Sequence, residues 1–133
     1  MTPEQVAKPG TEHAHQCALF CWANKQLTTW PELEWMYAVP NAAERSVVVA
    51  SRMKAEGLKS GVSDVCIPVS RKKYNGFYIE MKKPGNAKGE TDNQKKFGAF
   101  VTAQGYLYAC FDHWEKARDA IIWYMTKIEE EQL

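Results

Sequence analysis

Asp64, Glu80 and Lys82 are the residues of this chain best able to do chemistry together. Asp64 ends the turn Gly61-Val62-Ser63-Asp64, and Glu80 and Lys82 stand two apart around Met81, at the end of the apolar run from Phe77. Two carboxylates and one ammonium in one place can bind a divalent cation and activate a water. Crowded carboxylates have raised pKa values unless a cation offsets their charge. Mg2+ or Mn2+ meets that need, with oxygens from Asp64, Glu80 and the Met81 backbone carbonyl. Lys82 would orient the attacking water or stabilise charge on a phosphate oxygen. The plainer reading is a surface ion pair. The apolar flanks of Glu80 oppose it, because core strands seldom carry Glu and Lys together.

The elements around these residues follow from periodicity and caps. Residues 1–10 are polar with two prolines and read as a flexible lead. Thr11 caps a helix running to about Gln26, apolar on most sides from Cys17 to Ala23. Leu33 to Val39 reads as a strand stopped by Pro40. Asn41 with Glu44 forms a capping box for a second helix that Gly57 closes. Val47-Val48-Val49 would suit a strand, but the flanking caps favour helix. Ser63 to Val69 and Gly76 to Lys82 are strands joined through Ser70–Asn75. A tight turn at Asn75-Gly76 would leave Asp64 beyond its partner strand. A loop centred near Lys72 or Lys73 sets Asp64 opposite Glu80 or Lys82, and side chains alternate so that Tyr78, Glu80 and Lys82 share a face. Thr91 with Gln94 makes a capping box for a helix with Phe97, Phe100 and Val101 on one side. Tyr106 to Phe111 is a strand. Asp112 with Glu115 caps a last helix, whose apolar stripe runs Trp114, Ala117, Ile121, Tyr124, Met125 and Ile128.

Five pieces in this order resemble the VRR-NUC branch of the PD-(D/E)XK nucleases, the virus-type replication-repair nucleases. They are Glu12 with Gln16, Pro40-Asn41, Gly61-Val-Ser-Asp64, Ile79-Glu80-Met-Lys82 and Thr91-x-x-Gln94. Each alone is weak; the ordered set, from about Glu12 to Phe111, is fairly specific. Ala42 departs from the glycine often found after Pro-Asn in that family. The resemblance implies an α/β, restriction-endonuclease-like core with a central mixed sheet flanked by helices, one domain over residues 11–133. It implies a metal-dependent phosphodiesterase acting on DNA, with Asp64 and Glu80 as metal ligands, Lys82 as catalytic lysine, Glu12 as an auxiliary acid and Gln94 near the site. Two of these residues also have local explanations. Gln94 sits where a capping box needs it, and Glu12 sits where an acid favours the helix dipole.

Composition bounds the rest. The 133 residues suit one domain, and 45% hydrophobic content excludes a disordered body. The net charge is +1, with basic clusters at Arg71-Lys72-Lys73, Lys82-Lys83 and Lys95-Lys96 balanced by Glu129-Glu130-Glu131. That permits an anionic partner without demanding one. Cys17, Cys21, Cys66 and Cys110 include no CxxC pair and read as free, mostly buried thiols in a reducing, cytoplasmic setting. Cys17 and Cys21 share a helical face that His13 is expected to miss, so zinc is disfavoured. His15 and His113 read as surface residues. The N-terminus has no signal-peptide pattern, and no apolar stretch suits a membrane span. No His–Asp set supports Ser63 as a nucleophile, and the glycines lack phosphate-loop spacing. Five tryptophans in a small chain suggest a homodimer. Trp22 and Trp114 read as core, and Trp30, Trp35 and Trp123 as interface candidates. The function expected is endonuclease action on DNA, branched DNA such as four-way junctions above all. A non-catalytic DNA-binding or assembly module on a nuclease-like scaffold is the rival.

Overall fold

A computed structural model describes residues 1–41 and 45–127. Four strands form one mixed sheet: β1 (Tyr37–Ala38), β2 (Val65–Ile67), β3 (Phe77–Met81) and β4 (Leu107–Phe111), in spatial order β1-β2-β3-β4. The first three are antiparallel neighbours, and β3 pairs parallel with β4. Among the described residues, five α-helices accompany them: α1 (Pro3–Ala7), α2 (Glu12–Asn24), α3 (Val47–Ala55), α4 (Asp92–Ala103) and α5 (Trp114–Met125). The protein is an α/β fold with a mixed sheet flanked by helices.

Alternation along β3 assigns the two faces of the sheet. Phe77, Ile79 and Met81 are fully buried and join Leu19, Trp22, Trp114, Ile121 and Tyr124 of α2 and α5 in the main core. Each such side chain contributes about 1.5–3 kcal/mol of transfer free energy, so this layer dominates stability. Tyr78 faces the other way and meets Phe97 of α4 edge-on at 5.1 Å. A Cβ on Gly98 would lie 2.7 Å from the Tyr108 ring, so glycine lets α4 sit tightly on β4.

The described part of the α5 stripe is buried from Trp114 to Met125. Ile128 and the acidic run 129–131 lie outside the described residues. Val47-Val48-Val49 are helical, but α3 starts from Ser46, whose hydroxyl accepts from Val49 N at 3.2 Å. The expected start at Asn41 depended on Glu44, which also lies outside the described residues.

Several local expectations are corrected. The lead holds a helix, because Thr2 and Gln5 form a capping box, Pro3 opens the first turn, and Ala7 packs into the core. Instead of one strand from Leu33 to Val39, Pro31–Trp35 forms a 3-10 helix that buries Leu33, and only Tyr37–Ala38 pairs. Pro31 presets the helical φ there. His113, not Asp112, caps α5, accepting from Glu115 N at 3.2 Å. Asp112 instead accepts from Gly85 N and Lys116. Phe100 is 64% exposed, one residue off the α4 face that carries Phe97 and Val101.

Cysteine and histidine burial also differ from expectation. Only Cys66 is buried; Cys17 is exposed, and Cys21 and Cys110 are intermediate. His13 Nε2 lies 3.5 Å from Cys17 Sγ, since i,i+4 positions share a helical face. His15 is 3% exposed, and its Nδ1 accepts from Trp114 N at 3.0 Å. No helix among the described residues is long and apolar enough to cross a membrane.

Candidate active site

The β2–β3 register pairs Val65 with Ile79, which sets Asp64 across from Glu80. Lys72 and Lys73 take left-handed φ values of 50° and 69°, and they sit in the turn that the Arg71–Tyr74 bridge closes. The reversal is therefore centred at the lysines, as the loop arithmetic requires. Asp64 Oδ2 accepts from Met81 N at 2.8 Å, tying the acid to β3. Gly61 makes the preceding turn possible. Its φ is +91°, and a Cβ there would lie 2.5 Å from the Asn93 backbone. The Asp64 turn thus abuts the first turn of α4.

α4 brings Gln94 onto the face of Glu80 and Lys82. Gln94 Oε1 accepts from Thr91 N at 2.8 Å and from Lys82 Nζ at 2.9 Å. Two donors fix that end as the carbonyl, so the amide NH2 faces Glu80 Oε1, at 3.0 Å. The capping role and the site role are the same hydrogen-bond set. Lys82 Nζ stands 3.9 Å from Glu80 Oε1.

Glu80 is 1% exposed, and its Oε2 is buried without a hydrogen-bond partner. Burial first, and then the adjacent Asp64 carboxyl, push the Glu80 pKa well above the usual carboxylate range, with Lys82 opposing. Glu12 opens α2 behind its Thr11 cap. Desolvation and then Asp64 raise its pKa, with Lys82 opposing. Glu12, Gln16 and Asp64 line one groove. The structure thus gathers Asp64, Glu80, Lys82 and Gln94 through direct contacts, with Glu12 at the margin.

The donor set fits a divalent cation in one respect: the orphaned Glu80 oxygen sits beside a second carboxylate, both hard oxygen donors. Among the described residues, no three His, Cys, Asp or Glu side chains form a group that could hold a metal. Asp64 and Glu80 therefore need a backbone or water oxygen to complete a shell, and Glu12 is not placed as a direct ligand.

The model of the VRR-NUC domain matches residues 10–112. The chain belongs to the VRR-NUC family. A solved structure described as a VRR_NUC domain protein is similar over 86% of this chain and 88% of its own, at 26% identity and a TM-score of 0.73. No curated protein gives a significant match. VRR-NUC membership places the chain among nuclease-like domains. The Asp64–Glu80–Lys82–Gln94 cluster lies within the matched span. Sequence reasoning missed the rest of the groove on α2, Cys17 and Phe20, because α2 is apolar on most sides and its pattern marks no open face.

Proposed function

We propose that this VRR-NUC domain is a metal-dependent DNA endonuclease that hydrolyses phosphodiester bonds in branched DNA such as four-way junctions. The observation that carries the reading is a buried Glu80 with one oxygen unpartnered, held between Asp64, Lys82 and Gln94. Burying a polar oxygen with no hydrogen-bond partner costs about 1–3 kcal/mol, a sizeable share of a domain's net stability. A fold that served only to bind DNA would gain nothing from that cost.

Asp64 and Glu80 would hold Mg2+ or Mn2+ with the Met81 carbonyl, and Glu12 would assist from the groove. When bound, the ion supplies a water of lowered pKa and neutralises phosphate charge. Lys82, aimed by Gln94, donates to the phosphate oxygen on which charge develops. Gln94 also orients Glu80, so one amide sets both the anionic and the cationic arm. A reducing, cytoplasmic setting suits the free thiols. A homodimer would deliver paired incisions to a two-fold-symmetric junction.

The rival reading, a non-catalytic DNA-binding module, is favoured by the lack of a three-ligand group among the described residues. A panel of duplex, flap and four-way DNA, assayed with Mg2+, with Mn2+ and with chelator, separates the two. Cleavage is expected with metal on branched substrates. It is expected to vanish in Asp64→Asn and Glu80→Gln, with the fold intact by circular dichroism. DNA binding without cleavage under any metal would leave the binding module standing. Near wild-type cleavage in either variant would remove that residue from the site.

A further inference from the structure

A groove of about 960 Å3 opens at Glu12 and Asp64 and runs along α2. One wall is a stripe of α2 residues, from Glu12 and His13 through Gln16 and Cys17 to Phe20. These positions recur on one helix side at successive turns. The other wall is the extended segment from Ala38 to Asn41. The volume is that of a small-molecule site, far too small for a length of duplex.

Its lining is wrong for a phosphate backbone. A strand track needs a row of cations. Among the described residues that line the groove, Arg45 is the one Lys or Arg, and two carboxylates stand at the mouth. The lining does suit a base. Phe20 and Pro40 offer flat apolar surface, and the amide of Gln16 can both donate and accept at a base edge. A base inside a duplex cannot reach such a pocket; it must be unpaired.

We propose that this groove receives one unpaired DNA nucleotide next to the phosphate held at Asp64 and Glu80, and that this requirement directs the domain to branch points. Flaps, forks and opened junction arms supply such a nucleotide; intact duplex does not. The proposal rests on the nuclease reading for the neighbouring phosphate. Occupancy of the groove itself is measurable without cleavage.

Cys17 provides the footprint, since it is exposed and lines the groove, whereas Cys66 is buried. Glu80→Gln protein with Mg2+ is saturated, by fluorescence anisotropy, with a flap DNA or with a fully paired duplex of equal length. Alkylation of each cysteine by N-ethylmaleimide is then followed by peptide mass spectrometry. The flap is expected to slow the Cys17 reaction strongly, the duplex to leave it unchanged, and Cys21, which does not line the groove, to be indifferent to both. Cys17→Phe fills the groove from an exposed position and avoids the core contacts of Phe20. It is expected to lower flap affinity about tenfold, the scale of one stacked base, with duplex affinity unchanged. Unprotected Cys17 at flap saturation, equal protection by duplex, or an undiminished flap preference in Cys17→Phe would overturn the proposal. Protection of Cys17 by a flap, in a wild type that cuts nothing, would instead sink the nuclease reading and leave the groove assignment intact.

Discussion

At the scale of single residues, the site separates chemistry from binding and capping from catalysis. Lys82 is 8% exposed and points to Gln94 and Glu80, not to open solvent. A lysine so placed contributes little to long-range steering. Lys82→Ala is therefore expected to lower the single-turnover cleavage rate at saturating DNA far more than it lowers affinity. Its slope of binding against salt should match the wild type, whereas a phosphate-steering lysine would reduce that slope. Unchanged single-turnover rates would exclude the catalytic role. Gln94 and Thr91 form one box, yet of the two Gln94 is the one that touches Glu80. Thr91→Ala is expected to cost about 1 kcal/mol of stability in urea unfolding, the usual worth of an N-cap, with cleavage largely retained. Gln94→Ala is expected to reduce cleavage at matched folded fraction. Equal effects of the two variants on cleavage would make Gln94 a capping residue alone.

At the scale of elements, the packing of α2 against α5 carries a pH dependence. His15 of α2 accepts from Trp114 N in the first turn of α5, so the ring must be neutral at Nδ1. Burial, and then His113 at 4.5 Å between ring centroids, lower its pKa; Asp112 and Glu115 oppose more weakly. The folded pKa lies below the unfolded one, so the folded state binds fewer protons. This contribution is complete above the unfolded value of about 6.5 and is lost as pH falls through the lower folded value. Thermal unfolding from pH 7.5 down to pH 5 is expected to show a falling Tm. His15→Asn keeps a side-chain acceptor that does not protonate and is expected to flatten the slope. The same slope in His15→Asn would assign the pH dependence elsewhere.

At the scale of the whole molecule, the tryptophans divide by burial. Trp22 and Trp114 are 8% and 2% exposed, and Trp30 is half-buried against the core, which weakens it as an interface candidate. Trp35 and Trp123 are 70% and 53% exposed. Trp35 lies beside Tyr37 on the sheet-edge strand β1, where unpaired backbone groups invite a partner. A homodimer is expected by light scattering at micromolar concentration, with Trp35→Ser or Trp123→Ser shifting it toward monomer while the circular dichroism holds. A monomer in the wild type, cutting flaps and junctions equally, would defeat paired incision and leave the nuclease proposal standing.

The sequence by itself determined whatever obeys a local rule. Alternation put Tyr78, Glu80 and Lys82 on one face, hairpin arithmetic set Asp64 opposite Glu80, and the Thr91–Gln94 spacing marked the start of α4. Each depends on residues close along the chain, or on a strand period of two that tolerates no slip. Only the tertiary structure decided that Gln94 links Glu80 to Lys82, because α4 reaches their face through the long connection between the parallel strands β3 and β4. It alone decided that His15 is buried and Cys17 exposed. α2 is apolar around most of its circumference, so its faces are assigned by what packs on them, chiefly α1 and α5. The groove beside Asp64 has the same origin: it is the space between α2 and the segment after β1, two elements whose approach no periodicity encodes.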